Sequence, residues 1–176
     1  MIRIACAIAV LLLLQVTEGH AGRLVEGTVR TVYDGDTILL FTREGSRLKA
    51  RLYGIDAPET AKPDKPGQPF GEAAKITLKS KVNGRRVSAE VMEIDQYRRA
   101  VAVIRLDGRD INREMTAEGM AWAYRHYLQG AYASEYIGAE ERARSKRLGL
   151  WRDVNPQPPW EFRRLLTGGR HSNYRR

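Results

Sequence analysis

Val25-Glu26-Gly27-Thr28-Val29-Arg30-Thr31-Val32, then Asp34-Gly35, then Thr37-Ile38-Leu39-Leu40-Phe41 form the stretch whose reading decides the fold. The first segment is β-rich with partial alternation, Val25, Val29 and Val32 being its apolar positions. Asp-Gly suits a tight hairpin turn, and the second segment is a short apolar strand. Glu44-Gly45-Ser46 turns the chain again and Leu48 to Ile55 alternates, so the domain begins as a three-strand meander. Thr60 to Pro69, broken by proline and lysine, is a loop. Gly71 to Val82 reads as a helix, with Phe70, Ala74, Leu78 and Val82 at helical spacing and Asn83-Gly84 as its stop. Arg86 to Met92 and Ala100 to Leu106 are two more strands. Asp110 is placed to cap a short helix from Ile111 to Glu118, and Ser134 to cap a longer one ending at Leu148. Five short strands with helices inserted late predict an α+β domain, mainly β: a five-stranded Greek-key barrel of the OB type, which leaves no free sheet edge.

Outside this domain, which is expected over residues 22–154, two terminal segments differ in composition. Met1-Ile2-Arg3 is a short positive start, Ile4 to Val16 is almost wholly apolar, and Gly19-His20-Ala21 offers small residues for cleavage. That apolar run falls short of the ~20 residues needed to span a bilayer, so residues 1–21 read as an export signal, placing the protein in a periplasm or outside the cell. The one cysteine, Cys6, lies within it, which leaves the exported chain without a thiol or disulfide. About 155 residues remain, the size of one ordinary domain. From Asn155 to Arg176 the chain is proline-rich and then basic, and Gly168 onward reads as a disordered tail. A formal charge of +9 attracts polyanions, among them nucleic acid, anionic polymers and lipid headgroups.

The chemistry is concentrated in Arg51-Leu52-Tyr53-Gly54-Ile55-Asp56-Ala57-Pro58-Glu59, with Asp34-Gly35-Asp36-Thr37 upstream and Asp95-Gln96-Tyr97-Arg98-Arg99 downstream. Carboxylates suit a hard divalent cation, and the planar fork of arginine meets phosphate with two parallel hydrogen bonds. Metal-binding acid, spare acid and phosphate-binding base together describe a phosphodiesterase. Taken alone, Asp34-Gly35-Asp36 is more often a plain hairpin turn, and Glu59 an exposed loop carboxylate. Histidine-dependent nuclease chemistry has little material, because beyond the signal only His126 and His171 are present.

These motifs, with Phe70-Gly71-Glu72-Ala73 and Leu148-Gly149-Leu150-Trp151, occur in the order found in the staphylococcal nuclease (thermonuclease) family, which the chain resembles from Val25 to Trp151. The resemblance implies the OB barrel with about three helices packed on it, and a Ca²⁺-dependent nuclease acting on DNA and RNA with little sequence preference. It implies Asp36, Asp56 and the backbone carbonyl of Ala57 as Ca²⁺ ligands, and Glu59 as the residue that takes a proton from the attacking water or orients it. Arg51 and Arg99 are implied as phosphate clamps. Arg98 stands where the family usually has glycine; counting back from the strand at Ala100 assigns the role to Arg99. Tyr97, Tyr124 and Tyr127 are expected to wall the site for a nucleotide base, while Trp122, Trp151 and Trp160 read as structural. Gln96 replaces a phosphate-contacting lysine, and Lys62 and Lys65 supply diffuse attraction. No stable protein partner is implied, and a monomer is the default. The alternative is a non-catalytic OB-fold module that binds nucleic acid, although a binder has no use for this set of acids and arginines.

Overall fold

In a computed structural model, which describes residues 23–172, the expected barrel is present and closed. Strands β1 (Arg23–Asp34), β2 (Thr37–Thr42) and β3 (Arg47–Leu52) form the antiparallel meander. A two-residue β4 (Ile55–Asp56) precedes helix α1 (Gly71–Val82); β5 (Arg86–Ile94) and β6 (Ala100–Leu106) follow. The sheet runs β3-β2-β1-β5-β6, and a parallel pairing of β3 with β6 closes it into a five-stranded barrel. Closure occurs at Ala50 opposite Ala100, Arg51 opposite Val101 and Leu52 opposite Ala102. Both alanines of the first pair are fully buried, so small side chains let the two strands meet without crowding the interior.

Beyond β6 the chain makes a short β7 (Arg109–Asp110), helix α2 (Ile111–Ala117), β8 (Trp122–Ala123), which pairs with β4, helix α3 (Gly130–Ser145), a 3-10 turn (Gly149–Arg152) and helix α4 (Pro159–Ser172). Asp110 caps α2 as expected: its Oδ1 accepts from the Arg113 N–H at 2.9 Å.

Three expectations need correction. Helix α3 begins at Gly130 and ends at Ser145, so Ser134 is an interior residue; its hydroxyl donates back to the Ala131 carbonyl at 2.9 Å instead of capping. Among the described residues four helices, not about three, accompany the barrel. The fourth, α4, starts where the extended Asn155–Pro159 segment ends and runs into the tail expected to be disordered from Gly168: Pro159 takes the first helical position, where a missing N–H costs nothing, and the backbone stays helical to Ser172. The expected signal, residues 1–21, lies outside the described residues. No described helix is long and apolar enough to cross a membrane.

One buried side chain ties the barrel to the loop that carries the site. Asn112 on α2 is fully buried. Its amide nitrogen donates to the carbonyls of Tyr53 and Ala102, each at 3.0 Å, and its oxygen accepts from the Ile104 N–H at 3.0 Å. It thus joins β6 to the β3–β4 connection. Replacing it with alanine takes this partner from the Tyr53 carbonyl and the Ile104 N–H, while the Ala102 carbonyl keeps the Tyr53 N–H at 2.8 Å; Asn112→Ala is expected to lower the unfolding free energy by about 3 kcal/mol, read by urea denaturation. A loss below about 1 kcal/mol would show that the joint carries no weight.

Candidate active site

Barrel closure sets the site. Arg51, the penultimate residue of β3, lies between Thr37 of β2 and Val101 of β6, next to the turn that carries Asp36. Its guanidinium spans two carboxylates: Nη1 lies 3.0 Å from Asp36 Oδ2 and Nη2 donates to Asp56 Oδ1 at 2.6 Å. Asp36 is 4% exposed and Asp56 fully buried, so their charges are held out of water and matched by the arginine. Burial alone would lower the pKa of Arg51, but the charges of Asp36 and Asp56 outweigh it and raise it above the ordinary value. Asp36 Oδ2 also accepts from the Ala57 N–H at 3.2 Å, which fixes the backbone that follows β4.

Glu59 lies on the loop just beyond, and its backbone is held on both sides. The Glu59 N–H donates to Gln68 Oε1 at 3.0 Å, and the Gln68 N–H donates to the Glu59 carbonyl at 2.8 Å. Gly71, in the Phe70-Gly71-Glu72-Ala73 motif, lets helix α1 approach this carbonyl: a Cβ there would sit 2.1 Å from the Glu59 oxygen. Gly35 does the same for the Asp36 turn, where a Cβ would lie 2.7 Å from Ala74 and 2.8 Å from Ala57. Asp34 has a separate part: it accepts from the Thr60 hydroxyl and lies 3.6 Å from Lys62 Nζ, which fastens the Thr60–Pro69 loop. Lys62 is also 3.9 Å from Glu59 Oε2, a partly exposed pair of small energetic weight.

The second arginine comes from the β5–β6 connection. Asp95 Oδ1 accepts from the N–H groups of Tyr97 and Arg99, each at 2.9 Å, and its Oδ2 from Arg99 Nε at 2.7 Å. Arg98 takes the left-handed position of this turn, at φ 62°, which is where the resembling family keeps glycine. Arg99 lines the same cleft as Asp36, Arg51 and Glu59, a space of about 960 Å³, whereas Arg98 does not line it. Tyr97 is 70% exposed, with the Arg99 guanidinium 5.4 Å from its ring centre.

Tyr124 and Tyr127 border the other side, edge to face at 5.0 Å. Burial first, and the Asp56 charge second, push the Tyr124 phenol upward. Its face is not open: Trp160 of α4 stacks on it at 5.1 Å and 10°. Trp160 also meets Trp122 edge-on at 5.6 Å, so the structural expectation for Trp160 omits half of its surroundings.

One residue of the site was missed in the sequence. Arg163 of α4 reaches into the carboxylate cluster, Nη2 donating to Asp56 Oδ2 at 2.7 Å and Nη1 to Glu59 Oε1 at 2.7 Å and to Asp56 Oδ1 at 3.2 Å. Burial would lower its pKa, but its bonds to Asp56 and Glu59 raise it above the ordinary arginine value. Only the Trp160–Arg163 spacing, one helical turn beyond Pro159, could have suggested it.

The donor chemistry fits a hard divalent cation. Asp36 and Asp56 offer oxygens close enough for one guanidinium to touch both, and Ala57 adds a backbone oxygen nearby in sequence. Among the described residues no three acidic, histidine or cysteine side chains converge as a ready-made metal centre, so such an ion would depend on substrate oxygens and water for its remaining ligands.

A closed OB barrel that gathers buried acids, forked arginines and a further glutamate at one cleft has the make-up of a nuclease. Residues 49–153 match the family of staphylococcal nuclease homologues. The chain is 38% identical to a micrococcal nuclease of Shigella flexneri over 170 residues, 91% of each chain. It is 38% identical to an uncharacterized endonuclease of Haemophilus influenzae over 76% of this chain and 70% of that protein, and 35% identical to protein ParB of Escherichia coli over 93% and 91%. The chain belongs to the staphylococcal nuclease family.

The turn around Asp95 gives a pH prediction. Burial raises the Asp95 pKa, but the hydrogen bonds and charge of Arg99 outweigh it, so the folded carboxyl titrates below its ordinary value. Its stabilisation is therefore complete above about pH 5 and is lost as pH falls through the lower folded value. The Arg99 Nε–H resonance is expected to hold its bonded chemical shift from pH 7 to about pH 4 and to move only below that. A shift centred above pH 5 would contradict the bonding described.

Proposed function

We propose that the protein is an exported, Ca²⁺-dependent phosphodiesterase that hydrolyses DNA and RNA with little sequence preference and leaves 3′-phosphate ends. The observation that carries this reading is that Asp36, Arg51, Glu59 and Arg99 line one cleft, with Asp56 buried beneath it and bonded to Arg51. Asp36, Asp56 and the Ala57 carbonyl would hold the cation, which when bound supplies positive charge to the scissile phosphate. Arg51 offers its fork to the same phosphate and offsets charge on the equatorial oxygens. Glu59, on a backbone fixed by Gln68 and Gly71, accepts the proton of the attacking water or orients that water for in-line approach. Arg99, steadied by Asp95, would stabilise the leaving 5′ oxygen. Tyr127 provides aromatic surface for a base, as would Tyr124 where Trp160 does not cover it, with Tyr97 at the exposed rim, and stacking of this kind tolerates any sequence. The names of the Shigella and Haemophilus relatives agree with nuclease action. The apolar segment Ile4–Val16 supports export to the periplasm or beyond.

Glu59→Gln keeps the side chain's size and removes its basicity. With single-stranded DNA as substrate, turnover is expected to fall by about 10²–10⁴-fold while thermal unfolding stays cooperative. Turnover within a few-fold of the parent would remove Glu59 from the reaction.

A further inference from the structure

Helix α4 lies beyond the matched residues 49–153, yet it meets the site at two of its functional surfaces. Trp160 and Arg163, three residues apart, project from one face of the helix. Trp160 lies flat on Tyr124, at a ring separation of 5.1 Å, in the manner of a stacked base. Arg163 takes up Asp56 and Glu59 together, with three hydrogen bonds between 2.7 and 3.2 Å. Asp56 then has no free oxygen, since Arg51 holds Oδ1 at 2.6 Å and Arg163 holds Oδ2 at 2.7 Å. Glu59 Oε1 is likewise engaged by Arg163, at 2.7 Å.

We infer that α4 is a built-in competitive ligand of the active site, with Trp160 standing in for a nucleotide base and Arg163 for the divalent cation, so that the site works only when α4 is displaced. The inference rests on the Ca²⁺ reading of Asp36 and Asp56 given above. A second guanidinium on Asp56 takes lone pairs the ion needs and sets its positive charge against the ion's, so each lowers the apparent affinity of the other. Where only a fraction of molecules has α4 displaced, the apparent Kd for the ion is the intrinsic one divided by that fraction.

The attachment is suited to release. The helix follows Asn155-Pro156-Gln157-Pro158-Pro159, a segment held at Gln157, whose carbonyl accepts from Gln68 Nε2 at 3.2 Å. Beyond that point Arg163 makes the only ion pairs between α4 and the barrel among the described residues. Arg164 and Leu165 on its other faces are exposed. Gln68 also holds the Glu59 backbone, so the anchor of the helix and the position of Glu59 share one side chain.

The test is calorimetric titration of Ca²⁺ alone into the chain from Gly22 to Arg176, as parent, Arg163→Ala and Arg163→Lys, with hydrogen exchange of the α4 amides read in parallel. Arg163→Ala is expected to bind Ca²⁺ at least about tenfold more tightly than the parent, because a charge-assisted contact to the carboxylates is gone. Lysine, which has the charge without the fork, is expected to fall between the two. In the parent, Ca²⁺ is expected to speed exchange in α4. Equal or weaker Ca²⁺ binding by Arg163→Ala, with parental cleavage intact, would overturn the competition while leaving the nuclease reading in place. No Ca²⁺ binding by any of the three chains would overturn the inference and the Ca²⁺ reading together. Should Arg163→Ala fail to fold, Arg163→Lys decides: tighter binding than the parent upholds the competition, and unchanged binding overturns it.

Discussion

Two carboxylates removed from water need a cation, and the Arg51 guanidinium between Asp36 and Asp56 meets that need at 3.0 and 2.6 Å. Much of the site follows from it. The barrel closes where Arg51 pairs with Val101, so the strand that brings the arginine also brings β6, and with it Arg99 just before β6. Asp36 reaches back to the Ala57 N–H and fixes the backbone leading to Glu59. A buried charge pair of this kind is weak support for stability compared with an apolar replacement, but losing one partner is severe. Its worth here is positional: it holds hard-oxygen donors and a phosphate fork in one place before substrate arrives.

Much of the fold was legible because its signals are local. Alternation marked the meander, helical spacing of Ala74, Leu78 and Val82 marked α1, and Asp110 marked the start of α2. Where local signals mislead, the reading failed. Ser134 has a hydroxyl that can bond either forward as a cap or back to a carbonyl, and within α3 it bonds back. The true start of α3, after Gln129, has no side-chain cap and so no local mark. Helix α4 was hidden by prolines ahead of it and glycines within it, although Pro159 is itself a common first helical residue.

The site divides in the same way. Arg51, Asp56 and Glu59 lie within nine residues, and the family motifs place Asp36 and Arg99 beside them, so spacing and resemblance sufficed to nominate them. The Arg98-Arg99 ambiguity is a matter of backbone: the turn needs one left-handed residue, Arg98 takes it, and Arg99 is left beside the cleft. Arg163 is separated from Asp56 by 107 residues and from Glu59 by 104, and no periodicity in α4 announces which carboxylates it will meet. Such a contact emerges only once the barrel is closed and the helix is docked. Trp160 was read as structural for a related reason, since an aromatic residue near a basic tail gives no sign of whether it fills a core or covers a cleft.

The central claim is that the acids of this cleft serve a divalent cation in phosphodiester hydrolysis. Its most direct test is cleavage of single-stranded DNA by the chain from Gly22 to Arg176, followed with Ca²⁺ present and again with excess EGTA. The account predicts fragments that accumulate with Ca²⁺, cease with EGTA and return when Ca²⁺ is restored. Binding without cleavage under both conditions would contradict it, leaving a basic OB module that holds nucleic acid but does not cut it.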